Sequence, residues 1–210
     1  MALSQTILKE CNNILTLGGT LVFPTETVYG LGANIFNEEA VRKIYRIKGR
    51  SFSKPLTAHI SSLLQVKLIC NNIPDIFYKL AEKFLPGPLS IIIPNVHPNV
   101  PKIVTSGYDT IAIRFPNHNI CKEIINDFSI PLAATSANIS GSKSPVSFEE
   151  IGVEVINKVD KVINGGECIY KTESTVLSIV SNPVVLRQGV LNINEIEEVI
   201  NQKITKGFRE

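Results

Sequence analysis

Eight short apolar runs punctuate the chain, at Thr20–Phe23, 56–60, 89–93, Thr110–Arg114, 131–134, 161–163, 174–180 and 183–187, and their spacing constrains the fold more than any other feature. Each has the length of a strand and is too short for an ordinary helix. Helical patterns fall among them. Ile7, Leu8, Cys11, Ile14 and Leu15 recur at helical spacing over 4–17, and Gly18-Gly19 stops that helix. Asn37, with Glu38 and Glu39 behind it, reads as the N-cap of a helix that ends at Gly49. Further helical patterns cover 61–69, 74–84 and Asn119–Phe128, Ser147 with Glu150 reads as a capping box for a helix to about 156, and 194–202 closes the chain. Strands and helices alternate without strict order. The expectation is one α/β domain over residues 1–210, a mixed β-sheet with flanking helices rather than a repeating parallel one. No repeat, low-complexity tract or long linker marks a boundary.

Composition narrows the function classes. At 210 residues, 44% of them hydrophobic and 19% charged, the chain can bury a large core. No apolar run approaches the roughly 18–20 residues a membrane helix needs. Residues 1–10 lack a basic region ahead of an apolar core, so a secretory signal is not expected and the cytoplasm is the expected location. The four cysteines, Cys11, Cys70, Cys121 and Cys168, form no Cys-x-x-Cys pair and have no histidine spaced to join them, which points to reduced, buried thiols and no metal site built from protein ligands. A net charge of +2 neither requires nor excludes a nucleic-acid partner.

Four constellations carry candidate chemistry. In Phe23-Pro-Thr-Glu-Thr-Val-Tyr-Gly-Leu-Gly32, Pro24 ends a buried strand. In an extended loop Thr25 and Thr27 would share one face with Glu26 and Val28 on the other, while Gly30 and Gly32 would let the backbone turn or approach a ligand. Lys48 and Arg50, two apart, would point their charges to one side of an extended segment, followed by Lys54; the plain alternative is a solvated turn. Thr135-Ser-Ala-Asn-Ile-Ser-Gly141 opens from the apolar run 131–134, and Ser136 and Asn138 could face one ligand at the carboxyl end of a strand, or form an ordinary turn. Arg114 and Arg187 each end an apolar strand, where an unpaired charge is costly, so each should meet an anionic ligand or a structural carboxylate. His59 alone would pass for a core histidine. No phosphate-loop, Gly-x-Gly-x-x-Gly or metal-ligand signature is present, so a nucleotide would be held by side chains from several loops.

Taken in order, the first constellation, Lys48-Gly-Arg50, Lys54-Pro-Leu56, Pro86-Gly-Pro-Leu89, Arg114-Phe-Pro116, Thr135-Ser-Ala-Asn138 with Ser140-Gly141, and Glu173-Ser-Thr-Val176 resemble the motifs of YrdC-like threonylcarbamoyl-AMP synthases over about residues 8–190. The resemblance implies a twisted mixed sheet with one concave, basic face. It implies the reaction of L-threonine, bicarbonate and ATP to threonylcarbamoyl-AMP and pyrophosphate, for threonylcarbamoyladenosine in tRNA, with Mg²⁺ held by the phosphates and tRNA-threonylcarbamoyltransferase proteins downstream. It also implies residue roles: Lys48, Arg50, Ser136 and Asn138 as the catalytic tetrad; Thr27, His59, Arg114, Ala134 and Ser174 around threonine; Arg50, Lys54, Thr110, Ser136, Ser144 and Arg187 on ATP. Ser53, Ser178 and Gln188 depart from the family's pattern, and the length resembles its short form. Two other readings remain: a non-catalytic protein holding tRNA or ribosomal RNA on the same face, and a carbamoyl-transfer module of the hydrogenase-maturation type.

Overall fold

The computed structural model describes residues 2–207. Its elements in chain order are α1 (Gln5–Thr16), β1 (Thr20–Phe23), β2 (Gly30–Asn34), α2 (Glu38–Lys48), β3 (Thr57–His59), a 3₁₀ helix (Leu63–Leu68), α3 (Asp75–Phe84), β4 (Leu89–Pro94), α4 (Lys102–Thr105), β5 (Thr110–Arg114), α5 (Asn119–Phe128), β6 (Leu132–Ser136), α6 (Val153–Ile156), β7 (Lys161–Val162), β8 (Thr175–Ser178), β9 (Val184–Arg187), α7 (Ile193–Ile200) and β10 (Thr205–Lys206). The ten strands join in one mixed sheet, in the order β10-β9-β8-β4-β5-β3-β6-β2-β1-β7. No helix among the described residues is long and apolar enough to cross a membrane.

Period-two alternation sorts the side chains between the two faces of this sheet. Ala133, Ala58, Ile113, Ile91 and Leu177 stand opposite one another across five strands and are fully buried beneath the larger helical layer, which includes α2 and α3. On the other face, α1 and α5 cover only one end, packing Leu8, Cys11, Leu15 and Ile124 onto Leu21, Phe23 and Leu132. Apart from Ile92, the rest of that face is floored by short or polar side chains: Ala134, Thr57 and Ala112 share the row of Ile92, and His59, Arg114 and Ser90 form the next.

Several local expectations are corrected. Gly30 and Gly32 do not turn: they lie in β2, paired with β1 and β6. Their missing side chains make room for the Phe23 ring, since a Cβ at either position would stand 2.9 Å from it. The loop after Pro24 is not extended but folds around the Thr25 hydroxyl, which accepts from the backbone N–H of Thr27 and Val28 and donates to the Val28 carbonyl. Lys48 is not on an extended segment; it is the last residue of α2, and Gly49 caps that helix in the left-handed region at φ 57°. The capping box at 147–150 opens no helix, because Glu150 turns back to the Val146 N–H and helical backbone begins only at Val153. The helical pattern over 61–69 is a 3₁₀ helix confined to Leu63–Leu68, and α4 and β10, each too short for a periodic signal, have no counterpart in the sequence pattern.

Gly32→Ala should destabilise the protein by about 1–3 kcal/mol, the usual cost of overpacking, since its Cβ meets the buried Phe23 ring and lies 3.3 Å from the Ala133 carbonyl. Thermal melts check this at about 2–4 °C for each kcal/mol. Phe23→Leu in the same chain should recover part of the loss, so that the double variant is less impaired than the two single effects added.

Candidate functional site

The uncovered part of the sheet face forms a cavity of about 320 Å³. Its floor is β3, β4, β5, β6 and β8, and its walls are the loops after β1 and α2 together with Glu173, Ser174 and Arg187. The polar residues thus converge across a sheet face, and His59, Arg114, Ser136 and Arg187 among them each end their strand. The reason is the register: Thr57, His59, Thr110, Ala112, Arg114, Ser90, Ile92 and Ala134 share one pleat direction.

At one end a guanidinium meets the Thr-Glu-Thr loop. An Nη of Arg114 donates to Glu26 Oε1 at 3.0 Å and to Thr27 Oγ1 at 2.7 Å, and Thr27 Oγ1 lies 3.0 Å from Thr25 Oγ1. Arg114 is 5% exposed and Glu26 1% exposed. An ion pair this deep has a large desolvation cost and is held well only when its remaining hydrogen-bonding groups are satisfied. Here they are not. Arg114 Nε, Glu26 Oε2 and the neighbouring His59 Nδ1 are buried without partners among the described residues. Burial, reinforced by Arg114, pulls the His59 pKa well below 6.5, so its ring is neutral at pH 7. The corner therefore presents a partly used guanidinium and a neutral imidazole, a combination suited to a small ligand bearing a carboxylate.

The cavity is also lined by Arg50, Arg187, Glu173 and Ser174. Arg50 donates from Nε to the Lys54 carbonyl and from an Nη to the Pro55 carbonyl, both at 3.2 Å, and so braces the loop after α2. Arg187 donates to the Ser174 carbonyl (3.1 Å), to Ser174 Oγ (3.2 Å) and to Glu173 Oε2 (2.5 Å). Ser174 Oγ in turn lies 2.9 Å from Ser90 Oγ. Three arginines and one carboxylate line the cavity.

Thr27 and Ser174 meet the arginines, and Arg50, His59, Thr110, Arg114, Ala134, Ser136, Ser174 and Arg187 all line the cavity. The other expected site residues lie elsewhere. Lys54 is exposed and outside the cavity, and Ser144 reaches it only by donating to Glu173 Oε1 at 2.6 Å. Ser136 and Asn138 do not face outward together: Ser136 Oγ donates to Asn138 Oδ1 at 2.5 Å, and the Asn138 amide turns away to the Ile139 and Ser142 carbonyls.

Lys48 is 1% exposed and lies behind the wall. Its Nζ donates to the Ser136 and Asn138 carbonyls and to Asn138 Oδ1, while its own carbonyl accepts from the Ser140 N–H. Burial, with Arg50 acting the same way, lowers its pKa to about 7. The resemblance implies a catalytic role for Lys48; the structure gives it the anchoring of the 136–140 loop. Glu26, Glu173 and Ser90 were not foreseen as site residues. The first two stood inside recognised motifs, but nothing in their spacing shows which arginine each would meet. Ser53, Ser178 and Gln188 lie outside the cavity.

The four cysteines are free and buried, and burial raises their thiol pKa values, to about 11 for Cys11 and Cys168 and about 12 for Cys70. They are poor nucleophiles at neutral pH.

Comparison with known proteins places the site in context. The family model Sua5_yciO_yrdC, described as "Telomere recombination", matches residues 13–189. A relative from Pyrococcus abyssi named threonylcarbamoyl-AMP synthase is 43% identical over 186 residues, which cover 88% of this chain and 54% of the relative. A relative from Methanocaldococcus jannaschii is 41% identical over 193 residues, 91% of this chain and 90% of its own. The crystal structure of P. abyssi Sua5 complexed with L-threonine superposes with a TM-score of 0.93 at 39% identity, covering 97% of this chain and 60% of that one. The chain thus spans about half the length of the first of these relatives.

Lys48→Met keeps most of the buried stem and removes the ammonium, leaving two backbone carbonyls without their donor. Chemical denaturation at pH 7 should show a loss of about 1–3 kcal/mol, the penalty for orphaned buried acceptors. The pH dependence has a fixed sign. Because the folded-state pKa is lowered from 10.5 to about 7, the unfolded chain binds more protons between those values and wild-type stability should rise with pH across that window. Lys48→Met should lack that component of the slope.

Proposed function

The chain belongs to the Sua5–YciO–YrdC family, and from that premise we propose that it is a threonylcarbamoyl-AMP synthase, a nucleotidyltransferase that converts L-threonine, bicarbonate and ATP to threonylcarbamoyl-AMP and pyrophosphate. The observation that carries the reading is the convergence in one cavity of Arg114, with Thr27 bonded to it and neutral His59 beside it, and of two further cations, Arg50 and Arg187. Bicarbonate condenses with the threonine amine to a carbamate and water. A carbamate oxygen then attacks the α-phosphorus of ATP, the bond to the β-phosphate breaks, and pyrophosphate leaves.

The residues divide this work. Arg114, already fixed by Glu26 and Thr27, turns its remaining guanidinium edge to the threonine carboxylate, and His59 and Ala134 line the pocket around the amino acid. An imidazolium would add positive charge beside Arg114; the neutral ring adds none and keeps Nδ1 for a hydrogen bond. Arg50 and Arg187, with Thr110 and Ser136, face the nucleotide and stabilise negative charge as pyrophosphate departs. Lys48 and Asn138 act one step back, holding the backbone that carries Ser136. Among the described residues no group of three or more His, Cys, Asp or Glu could hold a metal, and the one carboxylate in the cavity already bonds Arg187 and Ser144. Mg²⁺ would accordingly be held by the triphosphate, whose charge it would screen. The unstable product would pass to tRNA-threonylcarbamoyltransferase proteins for modification of tRNA in the cytoplasm.

Pyrophosphate release from ATP should require both threonine and bicarbonate, because the nucleophile is the carbamate they form; equal release with threonine omitted would overturn the assignment. Arg50→Ala should lower turnover at least about tenfold, the effect of losing a charge-assisted phosphate contact.

Arg114→Lys keeps the charge and removes the planar fork. It should weaken threonine binding by about 1–3 kcal/mol, while ATP titrated alone binds as to wild type. Calorimetry with each ligand separates the two. If ATP affinity collapses and threonine affinity survives, the two ends of the site are exchanged.

A further inference from the structure

Glu173 is the single acidic side chain among the residues lining the cavity, and the proposed reaction gives it no role. Its two oxygens are divided: Oε1 accepts from Ser144 Oγ at 2.6 Å and Oε2 accepts from an Nη of Arg187 at 2.5 Å. A carboxylate in a cavity meant for a polyanion either positions the cation beside it or occupies that cation until the ligand arrives. The geometry decides between these. Arg187 is already held by the Ser174 carbonyl and by Ser174 Oγ, so its place does not depend on Glu173. What Glu173 adds is negative charge. That charge reaches beyond Arg187, for it opposes the lowering of the Arg50 and Lys48 pKa values that burial chiefly causes.

We propose that Glu173 is a built-in counter-ion that a phosphate-bearing ligand displaces from Arg187, so that the carboxylate sets a threshold on the anions the cavity accepts. The inference rests on the reading of this wall as the nucleotide's. A singly charged anion exchanging with Glu173 at Arg187 replaces one charge-assisted bond with another. A polyphosphate, long enough to reach Arg50 as well, makes a net gain. Ser144 is the tether: its hydroxyl keeps the carboxylate on Arg187 in the empty site, and the exchange frees Glu173 and Ser144 together.

The test is calorimetric titration of inorganic triphosphate, without divalent cation, into wild type and Glu173→Gln, a near-isosteric change on a partly exposed side chain. Glu173→Gln should bind triphosphate about two- to fivefold more tightly, the range spanned by exposed ion pairs, with an unchanged thermal melt. In an Arg187→Gln background the same substitution should bring a smaller gain, because the competition runs mainly through Arg187. Equal or weaker binding by Glu173→Gln would overturn the inference and make Glu173 a positioning residue. A gain of the same size without Arg187 would overturn it too, reducing Glu173 to a diffuse charge. Absence of binding to both proteins would remove the anion seat and the counter-ion with it, while the requirement for threonine and bicarbonate in pyrophosphate release would still decide the reaction independently.

Discussion

The two faces of the sheet are filled by different rules, and the rest of the molecule follows from that difference. A strand gives alternate side chains to opposite faces, so one face can be close-packed with Ile91, Ile113 and Leu177 while the other carries Thr57, Ala112 and Ser90 on the same strands or their neighbours. The aliphatic face supplies the apolar burial that stabilises the fold. Short side chains on the opposite face make a hollow, because α1 and α5 cover only the β6–β2–β1–β7 end of the sheet. A one-residue slip of β3 against β5 would send His59 into the aliphatic core and Ala58 into the cavity. Register therefore sets stability and site composition together.

Within the hollow, the least relaxed feature is the Glu26–Arg114 pair. Both groups are almost wholly removed from water, yet each keeps a hydrogen-bonding atom without a partner among the described residues, and His59 beside them does the same. Hydrophobic residues of similar volume would often be as stable or more so. Retaining the pair is reasonable where a ligand completes the missing bonds. Thr25 and Thr27 serve the same end: the Thr25 hydroxyl organises a tight turn, and that turn brings Glu26 and Thr27 to one guanidinium although they are adjacent in sequence.

This turn also marks where sequence reasoning stopped. The strands Thr20–Phe23 and Thr110–Arg114 and the helix over Asn119–Phe128 were legible from periodicity and breakers. β2 was not, because Gly-Leu-Gly-Ala-Asn carries no strand propensity; its glycines answer to the Phe23 ring across the pair, a tertiary demand with no local signal. The cavity-lining arginines were recognisable as charges at strand or helix ends. Their partners were not, since Glu26 meets Arg114 across 88 positions of sequence and Glu173 lies beside a residue of a different strand. The extended reading of Lys48-Gly-Arg50 failed at one position: with Gly49 in the left-handed region, the helix ends between the two charges and sends them to different places.

That separation links the fold to the chemistry. Lys48, at the end of α2, cannot turn outward without abandoning the carbonyls of Ser136 and Asn138, so a helix of the aliphatic layer fixes the backbone where β6 leaves the sheet. From there the chain runs to Ser144, whose hydroxyl meets Glu173, and Glu173 meets Arg187 at the end of β9. The Lys48 anchor and the partly exposed Arg187–Glu173 ion pair are thus linked through the backbone between Asn138 and Ser144. The two ends differ in how readily they yield. Buried bonds to backbone carbonyls are costly to break unreplaced, whereas the exposed Arg187–Glu173 pair can exchange partners with an arriving anion at little cost. If the cavity changes shape when it fills, the movement belongs at the Glu173 end, and the Lys48 end remains the fixed reference against which the nucleotide wall is held.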